Sequence, residues 1–166
     1  KISSDSILSS DDFSCSVKHW LPYEDTISSL QYLQNHYKLA ILSNIDNTSI
    51  SSTCSSLKSD FIGIYTAENI GSYKPNIRNF ETLLKELGKL GYTNQDILHV
   101  SVSLFHDHVP AQKLGLATCL IKRPSFFTSW DQTKQITMTC KANFEFNKLC
   151  DLVNRHKNEL KIKPNS

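Results

Sequence analysis

Four polar side chains follow apolar runs at positions where they could do chemistry together. Ser43 and Asn44 come directly after the apolar run 39–42, Lys74 precedes a proline, and Asp107 lies a few residues after another apolar run. Successive members are about one strand–helix unit apart, and open α/β sheets bind ligands at the carboxyl ends of their strands. A hydroxyl, an amide, a cation and a carboxylate at one sheet edge suit an anionic ligand. The spacing therefore predicts one site formed by these four residues.

Each of these residues also has a simpler structural interpretation. A Ser-Asn pair after a strand commonly starts a turn and caps the next helix. Most lysines are solvated surface charges, and Asp107 could be an ordinary carboxylate in the first turn of a helix. The functional hypothesis therefore depends on the order and spacing of Ser43, Asn44, Lys74 and Asp107 together.

Two further patterns resemble reactive sites but lack a necessary feature. In His106-Asp107-His108 the three side chains are neighbours, and neighbours on a helix do not share a face. Three ligands for one metal ion are therefore not expected there. Asp46 and Thr48 have the spacing of part of a phosphatase nucleophile motif, but Asn44, which holds the nucleophile position, is not a carboxylate. The sequence predicts no cofactor and no metal site.

The elements that must position these residues alternate between helix and strand. We predict strands at 38–42, 61–65, 97–101 and 117–121. We predict a helix beginning near Asp25, helices at 76–90 and 109–114, a short helix at 47–58, and a final helix carrying Phe146, Leu149, Val153 and His156. Residues 123–142 have no clear period and are predicted to form a packed loop. Such alternation predicts an α/β fold with a parallel sheet covered by helices.

Size and composition indicate one ordinary globular domain. The chain has 166 residues, 39% of them hydrophobic and 20% charged, with a net charge of +2. Its basic residues are scattered, so nucleic acid is not an expected partner. The longest apolar runs are of strand length, so no membrane span is expected. We predict a loose lead-in or cap remnant over 1–12, a core domain over 13–160 and a tail over 161–166.

The five cysteines indicate the redox environment in which the protein works. They are odd in number and have no paired spacing, which suggests neither a disulfide framework nor a zinc site. Reduced thiols are the simpler interpretation, and they predict a cytoplasmic protein.

Four motifs in order give the chain a specific family resemblance. The motifs are Trp20-Leu-Pro-Tyr-Glu-Asp25, Leu39-Ala-Ile-Leu-Ser-Asn44, Gly71-Ser-Tyr-Lys-Pro75 and Ser103-Leu-Phe-His-Asp107. Over about residues 13–156 the chain resembles the haloacid dehalogenase (HAD) superfamily, in particular its 2-haloacid dehalogenase-like branch. The implied fold is a three-layer Rossmann-like sandwich with a mainly parallel sheet.

The resemblance also implies roles for the candidate residues. Ser43 and Asn44 match the second motif, which binds the anionic or transferring group of the substrate, Lys74 matches the third and Asp107 is the acid of the fourth. In this family an Asp nucleophile on the first strand attacks the substrate, water hydrolyses the resulting ester, and the lysine holds the carboxylate charge in place. Nothing before Ser43 supplies such a carboxylate.

The missing motif leads to expectations about the fold and its stability. Because no nucleophile motif precedes Ser43, we expect the first strand of the family and most of the cap to be absent. That strand is central in the family, so its loss would leave a gap in the sheet. Either the flanking strands, ending at Ser43 and Ser101, pair directly, or unpaired edges remain and the fragment is poorly stable. Open edges also make a homodimer possible.

Two departures bear on the branch and the substrate. Ser101 and Val102 replace the Gly-Asp pair usual in phosphatases of the superfamily, which favours the dehalogenase-like branch. Phe80 and Leu104 stand where similar dehalogenases often have Tyr and Asn.

Two functions remain open from the sequence. The first is a fragment of a 2-haloacid dehalogenase-like hydrolase whose parent acts on a small carboxylate. The second is a non-catalytic remnant or pseudoenzyme with a binding or assembly role.

Overall fold

The computed structural model describes residues 21–123 and 140–162. The helices are α1 (Thr26–Leu33), α2 (Asn47–Leu57), α3 (Ala67–Ile70), α4 (Arg78–Gly88), α5 (Val109–Lys113) and α6 (Leu149–Ile162). The strands are β1 (Ala40–Ser43), β2 (Gly63–Thr66), β3 (Leu98–Ser101), β4 (Ala117–Ile121) and β5 (Phe144–Phe146). A 3-10 turn covers Asn94–Asp96, and a π-helix covers Leu104–His108.

All the strand pairs are parallel, and they form two separate groups. β1 pairs with β2, with Ser43 opposite Thr66. β4 lies between β3 and β5, with Ser101 opposite Leu120 on one side. Helix α2 connects β1 to β2 and helix α5 precedes β4 after β3, and such helical crossovers are what parallel neighbours require. The predicted α/β class with parallel sheets is confirmed.

β1 and β3 are the strands expected to flank the missing first strand of the family. In the described ranges β1 pairs only with β2 and β3 only with β4, so the expectation that β1 and β3 pair directly is wrong. Leu98 and Val100 of β3 remain 39% and 38% exposed, although β4 beside them is mostly buried. Each of the two strands therefore keeps one unpaired edge.

Helix α4 contributes a buried apolar stripe to the hydrophobic core. Its stripe buries Phe80, Leu83 and Leu87, spaced three to four residues apart. Phe80 is fully buried with Ala111 and Leu116, and Leu42 of β1 packs against this cluster from the other sheet. This buried cluster therefore connects the two sheets.

Asp25 precedes α1 as predicted, but it acts differently from the expected cap. Its side chain makes no capping hydrogen bond to the helix. One carboxylate oxygen instead accepts from Arg123 Nη2 at 2.8 Å, and the other accepts from the backbone N–H of Cys150 at 3.1 Å. The buried Arg123 guanidinium, at the end of β4, is a stronger partner than a local backbone N–H because it carries a full charge. Asp25 thus ties α1 to β4 and α6.

The C-terminal prediction needs one correction. Phe146 belongs to β5, and α6 begins only at Leu149. β5 was missed because it has only three residues, and Phe144 and Glu145 are both exposed, which gives no alternating pattern. Of the predicted loop 123–142, residues 124–139 lie outside the described part, as do the predicted lead-in 1–12 and residues 163–166 of the predicted tail 161–166. Residues 161 and 162 of that tail belong to α6. None of the described helices is both long and apolar enough to cross a bilayer.

Candidate active site

Asn44 fixes the loop that carries Lys74. Its side-chain amide donates to the backbone oxygen of Lys74 at 3.0 Å, and its Oδ1 accepts from the backbone N–H of Lys74 at 2.7 Å. A primary amide can replace a peptide partner in this way because it has both a donor and an acceptor. The pair of bonds fastens the loop to the end of β1. The loop is held from its other side by Asn79 of α4, whose Nδ2 donates to Ser72 Oγ at 3.2 Å.

Lys74 extends from this loop across the space between the two sheets. Its Nζ donates to the backbone oxygen of Leu42 in β1 at 3.0 Å and to Asp107 Oδ1 at 2.6 Å. The Lys74 side chain is only 11% exposed. A lysine ammonium has three N–H donors, and two of them are used by acceptors in the described residues. The third remains available for another anion or acceptor.

Asp107 reaches the site because the turn after β3 is a π-helix. The N–H groups of His108 and Val109 both donate five residues back, to the oxygens of Ser103 and Leu104. Single π-turns are rare and often occur at functional sites. In this turn Asp107 and His108 are both buried while His106 is exposed. Asp107 does lie in the first turn of this helix, as the simpler interpretation has it, but its carboxylate is buried and faces Lys74.

The electrostatics of Asp107 favour its ionised form. Burial is the largest single effect and raises the pKa of this carboxyl, because a charge is costly to remove from water. The hydrogen bond from His99 and the charge of Lys74 act in the opposite direction and together outweigh burial. They lower the pKa of Asp107 to about 2. Lys74 and Asp107 therefore form a charged pair at neutral pH.

His99 is a site residue that the sequence analysis did not identify. It lies in β3, and its Nε2 is 3.0 Å from Asp107 Oδ1. Its ring meets the buried Phe80 ring edge-on, with 5.0 Å between the centroids. The signal available in the sequence was a single polar ring inside the otherwise apolar run 97–100.

The four predicted residues are not equally connected. Asn44, Lys74 and Asp107 form one continuous set of contacts. Ser43 ends β1 beside Asn44 and is half-buried, but its hydroxyl makes no hydrogen bond to a described residue. Asp46 caps α2 by accepting from the N–H and hydroxyl of Ser49 at 2.8 and 2.7 Å. Asp46 is therefore a structural residue.

His108 has a buried ring without a hydrogen-bond partner among the described residues, and the same holds for the hydroxyl of Ser101. Burial lowers the pKa of His108, while the backbone of Ser101 acts in the opposite direction and does not offset it. A neutral imidazole is the form such a site favours. Within residues 21–123 and 140–162, no three His, Cys, Asp or Glu side chains are grouped to hold a metal ion.

Solved structures with the same fold are numerous. A HAD phosphatase from Thermococcus onnurineus superimposes with a TM-score of 0.67 at 22% identity, over 92% of this chain and 66% of that chain. The L-2-haloacid dehalogenase from Xanthobacter autotrophicus with chloropropionic acid covalently bound has a TM-score of 0.67 at 20% identity, over 86% and 63%. The L-2-haloacid dehalogenase PA0810 has a TM-score of 0.68 at 21% identity, over 82% and 57%. The chain thus spans less than two thirds of the length of each.

Comparison with curated protein sequences gave no match. The family model for haloacid dehalogenase-like hydrolases, in contrast, matches residues 10–121, which is more than half of the chain. This range includes the segments that supply Asn44, Lys74, His99 and Asp107. The chain belongs to the haloacid dehalogenase-like hydrolase family.

Proposed function

We propose that this chain carries the anion-binding part of a hydrolase site that acts on a small carboxylate substituted at its second carbon. The single observation that carries the proposal is the set of contacts from Asn44 to Lys74 to Asp107, located where β1 and β3 end. It holds one largely buried ammonium group in place with a free donor.

The proposed roles combine what the family resemblance implies with the charges and contacts of this site. Lys74 would bind the negative charge of a nucleophilic carboxylate or of the substrate carboxylate through its third N–H. Asn44 keeps the Lys74 backbone fixed, so that the ammonium does not have to be ordered when the anion arrives. Ser43, beside it at the end of β1, would donate its hydroxyl to the same anion. Asp107 would orient the water that hydrolyses the ester intermediate.

Asp107 itself is a poor choice for the nucleophile. Its Oδ1 is occupied by two donors and its charge is balanced by Lys74 at 2.6 Å, which weakens its attack on carbon. The unpaired edges of β1 and β3 face positions where one further strand could add. We infer that a nucleophilic carboxylate on such a strand would complete the site. In the complete site it would displace halide from the substrate, forming an ester that water then cleaves.

The solved relatives support the substrate class through one example. The Xanthobacter autotrophicus dehalogenase has chloropropionic acid covalently bound, and a small 2-substituted carboxylate is the ligand class that a single buried ammonium with a free donor would suit. The four described cysteines are free thiols, which fits action in a reducing compartment such as the cytoplasm.

The test is halide release from 2-chloropropionate. It should be measured for this chain and for the chain extended upstream through its own coding sequence to the preceding strand. We expect activity in the extended form, and a loss of at least about 100-fold in kcat for Lys74→Met, the size seen when one charge-stabilising donor is removed. Lys89→Met is the matched control, because Lys89 is an exposed lysine paired with Glu86 on α4.

Halide release and binding of 2-chloropropionate distinguish the hydrolase from the non-catalytic binding protein. No halide release from either form would overturn the dehalogenase proposal. If 2-chloropropionate then bound in a Lys74-dependent manner without turnover, the non-catalytic binding role would stand in its place. An equal loss in Lys74→Met and Lys89→Met would show that the loss reflects a general charge effect.

A further inference from the structure

Asp107 makes an asymmetric set of contacts. Lys74 Nζ and His99 Nε2 both contact the same oxygen, Oδ1, at 2.6 and 3.0 Å. The other oxygen, Oδ2, accepts no hydrogen bond from the part of the chain that the structure describes. The carboxylate is held by one oxygen and has the other available.

The contact determines which nitrogen of His99 carries a proton. An ionised carboxylate only accepts hydrogen bonds, so a bond between Nε2 and Oδ1 requires the proton on Nε2. The edge-on contact with Phe80, itself fully buried, limits rotation of the His99 ring. The side chain of His99 is 11% exposed, so little water competes for the bond.

We propose that His99 is a positioning residue for Asp107, whose Nε2–H fixes Oδ1 and thereby leaves Oδ2 as the acceptor for the hydrolytic water. The catalytic part of this inference rests on the proposed function, whereas the effect of His99 on the carboxylate does not. Lys74 alone would supply charge but little direction, because an ammonium is a compact point charge whose N–H donors rotate. The second donor fixes the plane of the carboxylate.

The pKa of Asp107 is the readout that a merely structural role of His99 would not move. It is followed by the pH titration of ¹³C-labelled Asp carboxyl carbons in the full chain, with Asp107→Asn to assign the signal. The titratable groups around this carboxyl are Lys74, His99 and the next residue, His108. Replacing His99 by Leu should raise the pKa of Asp107 by about one unit, because the ionised form loses a donor.

Two amide variants make the test specific to the position of the donor. His99→Gln places an N–H close to the position of Nε2 and should recover most of the shift. His99→Asn is one methylene shorter and should behave like His99→Leu. His36→Leu, an exposed histidine outside the site, serves as the control and should leave the titration unchanged. These polar variants also keep the test usable where the Leu variant fails to fold.

Two results would contradict the role of His99. An unchanged Asp107 titration in a folded His99→Leu or His99→Asn variant would show that His99 does not hold the carboxylate. Recovery by Asn equal to that by Gln would show that the position of the donor is irrelevant. In the active form, His99→Leu should lower kcat about tenfold with KM little changed, and His99→Gln should restore it. An absence of halide release from the wild type would refute the proposed function while leaving the carboxyl titration to decide the role of His99.

Discussion

The buried Asp107 carboxylate should make the stability of the protein depend on acid pH in a measurable way. Its pKa falls from an ordinary value of 3.8 to about 2 in the folded protein. A group with a lowered folded-state pKa contributes stability above its unfolded pKa and loses it as the pH falls through the folded one. At about 1.36 kcal/mol per pKa unit, ionised Asp107 contributes about 2 kcal/mol near neutral pH.

The perturbation is Asp107→Asn, measured by urea denaturation followed by circular dichroism between pH 7 and pH 2. The free energy of unfolding of the wild type should exceed that of the variant at pH 7. The difference should shrink by about 2 kcal/mol, mostly between pH 5 and pH 2, as the wild-type carboxylate becomes protonated. Taking the difference between two proteins removes the contributions of Asp25, Asp46 and Asp96, whose pKa values are also lowered.

Asp60→Asn provides the control. Asp60 is exposed, and its carboxylate has no ion-pair partner in the described ranges, so its pH curve should run parallel to that of the wild type. The reasoning about Asp107 is falsified if the Asp107→Asn curve is also parallel to the wild type from pH 5 to pH 2. That result would mean that Lys74 and His99 do not stabilise the ionised carboxyl in solution.

Two other substitutions test the framework around the site. Asn44→Ala removes both hydrogen bonds to the Lys74 backbone, so it should destabilise the protein by about 2 kcal/mol in urea denaturation and lower halide release. An unchanged unfolding midpoint would contradict the conclusion that these two bonds hold the Lys74 loop. Arg123→Met leaves the largely buried Asp25 carboxylate without its partner, so it should lower the free energy of unfolding by about 3 kcal/mol. In thermal melts Asp25→Asn should lower the melting temperature less than Arg123→Met does. The reverse order would contradict the assignment of an ionised pair.

Much of the fold was predictable because its elements have strong local patterns. The stripe of α4 and the apolar runs of β1, β3 and β4 each indicate one element type, and the structure has them within a few residues of the predicted bounds. β5 was not predictable because three residues, two of them exposed, carry no periodicity. The partner of Asp25 was hidden as well, because Arg123 is almost 100 residues away in the sequence.

At the site too, residues in local motifs could be predicted, whereas contacts between distant parts of the chain could not. Asn44, Lys74 and Asp107 come together because the parallel topology brings the loops after β1, β2 and β3 to one side of the fold. The roles expected of them came from the family resemblance. His99 was missed because a histidine inside a strand is more often a packed core residue, and its contact with Asp107 depends on the turn between them. The separation of β1 from β3 could be anticipated only as one of two outcomes, because sequence patterns do not indicate which strands pair across a gap.

The π-helix of Leu104–His108 makes the length of this segment a condition for the ion pair between Lys74 and Asp107. A π-turn contains about one residue more than an α-turn. Deleting one residue between Ser103 and Asp107 would convert the segment towards an α-turn and rotate the following side chains by about 100° around the helix axis. We therefore expect such a deletion to separate Asp107 from Lys74 even though every residue of the site is kept.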